Sequence, residues 1–149
     1  MAEFIEIAVG EPLEVPCGAL CFRLRRREVG ADGGLSLELH GTRDGEETEL
    51  LRFDLFRQDP HFHIPAGPPK PTGHLDPKAD SLAFALGRIG TEFTTLLEEA
   101  GAAYHLASIE GVSMISIVEQ LKIAANEAPA PTESRKIELT AEVRELLGC

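Results

Sequence analysis

A chain of 149 residues suits one domain with a single hydrophobic core, large enough to fold without disulfide or metal staples. Its 43% apolar and 26% charged residues are ordinary for a globular protein, and its formal charge of −11 argues against a general nucleic-acid backbone binder and against adhesion to anionic membrane. Aromatics are scarce at 5%, so the core falls to Leu, Ile, Val and Ala.

The first residues, Met1-Ala2-Glu3-Phe4-Ile5-Glu6, carry acids where a signal peptide would carry Lys or Arg, and no long apolar run follows. The expectation is a cytoplasmic protein. Cys17 and Cys21 stand four apart, which matches neither a CxxC redox pair nor a zinc knuckle, and they read as buried free thiols. Cys149 is given no role.

Strands are expected first. Ile5, Ile7 and Val9 alternate with polar or small residues and stop near Gly10-Glu11-Pro12. In Leu20 to Val29, Phe22 and Leu24 take one face and Arg23, Arg25 and Arg27 the other. Gly30-Ala31-Asp32-Gly33-Gly34 predicts a reversal. Leu35, Leu37 and Leu39 then alternate with Ser36, Glu38 and His40, and Leu51, Phe53 and Leu55 follow after Asp44-Gly45. Keeping the apolar face continuous places Leu39 opposite Leu51, Leu37 opposite Phe53 and Glu38 opposite Arg52. The same condition in the first hairpin places Arg27 opposite Glu38 and Arg25 opposite His40.

Helices follow. Asp76-Pro77 reads as an N-cap and first helical residue, opening a helix over 77–100 with Leu82, Leu86, Ile89, Phe93 and Leu96 in one stripe and Gly101 as terminator. Gly87 and Gly90 within it read as close packing of helix on sheet. A second helix is predicted from Ser113 to Asn126 with Ile115, Val118, Leu121 and Ala125 inward. Ala102 to Glu110 reads equally as strand or helix. Lys136 to Leu139 looks like a short strand, and Thr140 caps a closing helix through Leu147, stopped by Gly148. Runs of strands before runs of helices give an α+β fold. The expected form is an antiparallel meander of about four to five strands, with two main helices on its Leu/Phe face and a short C-terminal strand and helix. Residues 1–127 form the domain, 128–135 a linker and 136–149 an extension.

Residues 53–63 gather the most chemistry. If the segment is extended, His61 and His63 leave one side of the strand while Phe62 and Ile64 point inward. Imidazoles so paired can start a divalent metal site, with a third ligand from Asp59, His74 or Asp76. The pattern is not cupin-like, since no Glu follows the His pair, and Pro65 fills the Asp position of the metallo-β-lactamase pattern. The plainer alternative is an edge strand with its polar residues outward. Arg25, Arg27, Arg52, Asp54, His61 and His63 form the wider candidate site, an Arg-lined face suited to a small anion. Its plainer alternative is a solvated, salt-bridged sheet face. The loop from Pro60 to Pro77 holds six of the ten prolines and reads as a lid or docking surface.

Phe53, Asp54, Phe56, Asp59, Pro60, His61 and His63 fit Phe-Asp-x-Phe-x-x-Asp-Pro-His-x-His, and the segment from Leu50 to Leu97 resembles a family of uncharacterised small prokaryotic proteins with that motif, a loop and an amphipathic helix. The resemblance implies no established activity. A fainter likeness is to small toxin–antitoxin proteins with His-rich strands. The leading expectation is an accessory or interaction module, binding a small ligand or a protein partner at residues 57–77 and offering its apolar helix stripes as a dimer contact, with no membrane or nucleic-acid partner. The competing one is a small hydrolase or ribonuclease, metal-dependent or using His61 and His63 as an acid–base pair.

Overall fold

The structure, a computed structural model, describes residues 2–146; the predicted helix end at Leu147-Gly148, and Cys149, lie outside the described residues. The class is α+β, with an antiparallel sheet and helices, but the sheet has eight strands rather than four to five. They are β1 (Phe4–Val9), β2 (Leu13–Cys17), β3 (Leu20–Val29), β4 (Asp32–Arg43), β5 (Glu46–Phe56), β6 (His61–His63), β7 (Gly73–His74) and β8 (Arg135–Glu138). The helices are α1 (Ser81–Glu99), α2 (Met114–Glu127) and α3 (Ala141–Leu146). The sheet runs β7-β6-β5-β4-β3-β1-β8, and β2 pairs with β3 beside β1. The extra strands escape periodicity for physical reasons. β6 and β7 span three and two residues, and β2 contains Pro16, which an edge strand tolerates.

The second hairpin has the expected register, with Leu39 opposite Leu51, Leu37 opposite Phe53 and Glu38 opposite Arg52. A bulge after Leu39 then buries both Leu50 and Leu51. The first hairpin differs. Its turn is only Gly30-Ala31, so Val29 faces Asp32, Arg23 faces Glu38, Arg25 faces Ser36 and Arg27 faces Gly34. The Gly-rich run therefore belongs to strand rather than loop. Gly30, at φ 61°, supplies the left-handed conformation that such a turn needs. The displacement is four residues, an even number, so every side chain keeps its face. Arg25 and Arg27 still reach Glu38, diagonally, at 2.8 and 2.9 Å.

The apolar sheet face carries Phe22, Leu24, Leu37, Leu39 and Phe53, all fully buried, and Phe22 meets Phe93 of α1 at 5.8 Å between ring centroids. Truncating either core phenylalanine to Ala would cost about 3–5 kcal/mol. Two arginines on this side fasten the helix ends. Arg26 donates to the carbonyls of Ala125 and Ala128 at the end of α2, and Arg43 to those of Ala100 and Gly101 after α1. Those carbonyls lack partners within their helices, and a cation there also suits the helix dipole.

Helix α1 starts later than expected. Asp80 is the cap, accepting from Ala83 N at 3.0 Å, while Asp76-Pro77 forms a separate turn in which Asp76 accepts from Lys78 N. Helix α2 lies where expected, with Ser113 as its cap, yet Ile115 is 81% exposed, and Ile117, Leu121, Ala124 and Ala125 are the buried set. The ambiguous stretch is a 3-10 helix at Ala103–Ile109. A Cβ on Gly90 would touch Val118 of α2, and one on Gly87 would meet nothing within 4 Å, so neither glycine serves helix–sheet packing. Strand β8 enters the sheet through β1, with Ile5 opposite Ile137, and Thr140 caps α3 by accepting from Val143 N.

Candidate functional site

Among the described residues six polar or charged side chains are buried, and five of them, Ser36, Glu38, Asp54, His61 and His63, lie on the sheet face away from the helices. Buried polar groups demand partners, so this face is where chemistry should be sought. Strand β6 is placed by its one inward side chain. Phe62 packs between Phe53 of β5 and Phe84 of α1, at 6.0 and 6.1 Å. Backbone bonds from Thr72 N to Phe62 O and from Leu75 N to Pro60 O tie the loop behind it. With Phe62 fixed inward, alternation sends His61 and His63 to the opposite face, opposite Asp54 and Arg52. The imidazoles are thus 5% and 3% exposed rather than outward on an edge.

Both rings converge on one oxygen. His61 Nε2 lies 3.2 Å and His63 Nε2 3.7 Å from Asp54 Oδ2. Arg52 Nε donates to the same oxygen at 2.9 Å, and Ser36 donates to Oδ1 at 2.6 Å. Burial alone would raise the Asp54 pKa, but the His61 hydrogen bond, the Arg52 charge and the Ser36 hydroxyl outweigh it and hold the carboxyl well below the usual range. The two imidazoles diverge. Burial would lower His61, yet its bonds to Asp54 and to the Asp59 carbonyl raise it, whereas burial and the Arg52 charge lower His63. The Pro68 carbonyl lies beside the His63 ring, but Nδ1 makes no hydrogen bond of good geometry.

His61 Nδ1 stands 2.8 Å from the Asp59 carbonyl, which can only accept, so Nδ1 carries the proton. Its Nε2 then faces a carboxylate, and a bare lone pair there would be repelled. A second proton or a metal ion resolves the contact. Ring orientation by a backbone carbonyl is also how metal-ligating histidines are commonly held. Donors about 2.1 Å from a shared ion sit roughly 3.0–3.5 Å apart, close to the separations here. Asp54, His61 and His63 offer atoms that all lie within 4.8 Å of one another, so this trio fits a divalent ion, with Arg52 as the opposing feature.

Of the other expected ligands, His74 faces His61 across β6–β7 at 5.9 Å but bonds Asp59 Oδ1 at 2.7 Å, at the exposed rim. Asp76 is spent in its turn and does not join the cluster. Arg25 and Arg27 bond Glu38 one strand over. Burial would raise the Glu38 pKa, but hydrogen bonds from His40 and Arg27 and the charges of Arg27 and Arg25 bring it to about 2. Glu38, His40 and Glu49 form a second group with metal-ligand atoms, already crosslinked by arginines.

A cavity of about 190 Å³ opens over the trio, lined by Arg27, Val29, Arg52, Asp54, Phe56, His61 and His63. Register explains it. Gly34 lies between Arg27 and Phe56, and Ser36 between Arg25 and Asp54, so the central strand contributes almost no side chain there. Gly34 cannot change, because its φ is 154° and a Cβ would fall 2.4 Å from the Leu55 carbonyl oxygen. Gly34 and Ser36 are missed from sequence, although the decreasing size Glu38, Ser36, Gly34 along one face was there to read. A larger apolar groove of about 390 Å³ between α1 and α2 has only Glu119 and Lys122 as titratable lining, so the smaller polar cavity is the better candidate.

Fold and site together define an α+β sheet domain with a buried Asp/His cluster on the face its helices leave free. The chain belongs to the family described as Domain of unknown function (DUF7700), whose model matches residues 14–125, from β2 into α2 and including the 53–63 segment. Comparisons with curated proteins and with solved structures found no match. No helix among the described residues is long and apolar enough to cross a membrane.

Proposed function

We propose that this chain is a small-ligand-binding accessory module whose site is the cavity over β3, β5 and β6, organised by a divalent metal ion on Asp54, His61 and His63. The observation that carries the reading is the convergence of both Nε2 atoms on one buried carboxylate oxygen, with His61 locked by the Asp59 carbonyl. Imidazole with carboxylate suits Zn, Fe, Ni or Cu, and two His with one carboxylate leave positions open for a ligand. The sheet holds the three side chains, so the site is preorganised rather than assembled by the ligand. Elemental analysis of protein made without a His tag tests it. One equivalent of metal, lost in the His61→Ala/His63→Ala variant, supports the reading; metal-free protein that takes up none on loading sinks it.

Arg52 on the same Asp54 oxygen favours a second reading, a metal-free acid–base site. Two imidazoles 5.2 Å apart beside arginines suit proton transfer around an anionic ester, as in a small hydrolase or ribonuclease. Metal and protons compete for the same Nε2 atoms, so the readings exclude each other. RNA cleavage unchanged in the double variant would remove the second.

A further inference from the structure

Beside the cavity, the ion pairs of the polar sheet face cancel before any ligand arrives. Arg25, Arg27 and Arg52 pair with Glu38, Glu49 and Asp54, three cations against three carboxylates. The acids around the mouth lie outside the cavity lining and are held in contacts of their own. Glu28 holds Arg57 through two bonds of 3.0 and 2.8 Å, Asp59 holds His74, and Asp32 accepts from the backbone amides of Gly33, Gln58 and Asp59. A divalent ion on Asp54, His61 and His63 would therefore place two uncompensated positive charges in a largely buried cavity. Unpaired buried charge is costly, and no side chain of the cavity is left to balance it. The balancing anion must come from outside.

The cavity limits what that anion can be. At about 190 Å³ it lies below the roughly 300–1,000 Å³ of pockets for drug-sized ligands. Arg27 faces it from the β3 side, and Val29 and Phe56 give it one apolar wall. Guanidinium and metal together match a compact tetrahedral oxyanion, and a dianion completes the charge balance where a carboxylate would leave it short.

We propose that the cavity takes a phosphate-class dianion, inorganic phosphate or a compact phosphomonoester, held between the metal and Arg27 with any carbon substituent against Val29 and Phe56. This rests on the metal reading above. The test uses the full chain loaded with one equivalent of Co²⁺, whose visible bands report its ligands, titrated with inorganic phosphate and separately with acetate. Phosphate should shift the bands saturably and acetate much less. Arg27→Gln should raise the half-saturating phosphate concentration at least about tenfold while Co²⁺ stays bound. Val29→Asp, which places a carboxylate in the wall, should weaken phosphate by at least as much. The second variant decides the matter if Arg27→Gln does not fold. Absence of a saturable phosphate response, or wild-type affinity in the variant that folds, overturns the inference and leaves the metal site standing. A chain that takes up no Co²⁺ overturns both.

Discussion

Two trios of metal-competent side chains share one sheet face and differ in what neutralises their carboxylates. Glu38, His40 and Glu49 sit among Arg23, Arg25, Arg27 and Arg52, and Glu38 alone receives Arg25, Arg27 and His40. Asp54, His61 and His63 have a single arginine, and imidazoles take the remaining places around Oδ2. Two sets of three donors thus give a satisfied crosslink in one case and an open coordination set in the other. The cause lies in the strands. Three successive odd positions of β3 are arginine, whereas β6 offers only His61 and His63 to that face.

The largest contrast should appear in metal content. His61→Ala/His63→Ala should weaken metal binding by more than about a hundredfold, since even outer partners of a metal site are worth ten to a hundredfold. His40→Ala should leave it within a few-fold. Equal losses in both variants, read by elemental analysis after dialysis, would erase the distinction between the trios.

Stability should follow. Asp54→Ala leaves Arg52 and two imidazoles around a vacated buried carboxylate site, and removing one partner of such a pair costs about 3–5 kcal/mol. Urea unfolding of metal-free protein reads this directly. A cost under about 1 kcal/mol would mean the cluster relaxes freely and is not held as described.

The satisfied trio makes its own prediction. Glu38 titrates at about 2 in the fold against an ordinary 4.5, so its contribution is fully present above pH 4.5 and is lost as pH falls through about 2. That difference corresponds to about 3 kcal/mol. Stability measured between pH 4.5 and 2 should therefore fall less steeply in Glu38→Gln than in the wild type. Parallel slopes would show that the arginines do not hold Glu38 as argued. Asp54, also lowered, adds a loss of the same sign in acid.

What was legible in the sequence follows from which forces are local. Alternation fixed the faces of β3, β4 and β5, because a one-residue slip would expose an entire apolar row. It also put Arg25, Arg27, Arg52, Asp54, His61 and His63 on a common face. The hairpin register was not legible, because Gly33 and Gly34 read as turn residues when they are strand residues, Gly34 being the one that leaves room for the cavity. Nor was Asp54 as the partner of both imidazoles. That depends on β6 lying antiparallel beside β5, which Phe62 decides by packing on Phe53 and Phe84, contacts far apart in sequence. Arg26 and Arg43 were equally hidden, since the carbonyls they bond are up to 102 residues away.

Ser36 gives the smallest and most discriminating effect. Its hydroxyl is fully buried, makes one bond of 2.6 Å to Asp54 Oδ1, and touches neither imidazole in any hydrogen bond. Ser36→Ala should cost about 1–3 kcal/mol, the penalty for leaving a buried acceptor short of a donor. If Oδ2 is the metal-bound oxygen, the same change should also weaken metal binding by about tenfold, because an unanchored carboxylate can rotate away from His61 and His63. If instead the imidazoles work without metal, the variant should lose stability alone. Measuring both quantities on this single variant therefore asks whether the buried hydroxyl supports a fold or orients a ligand.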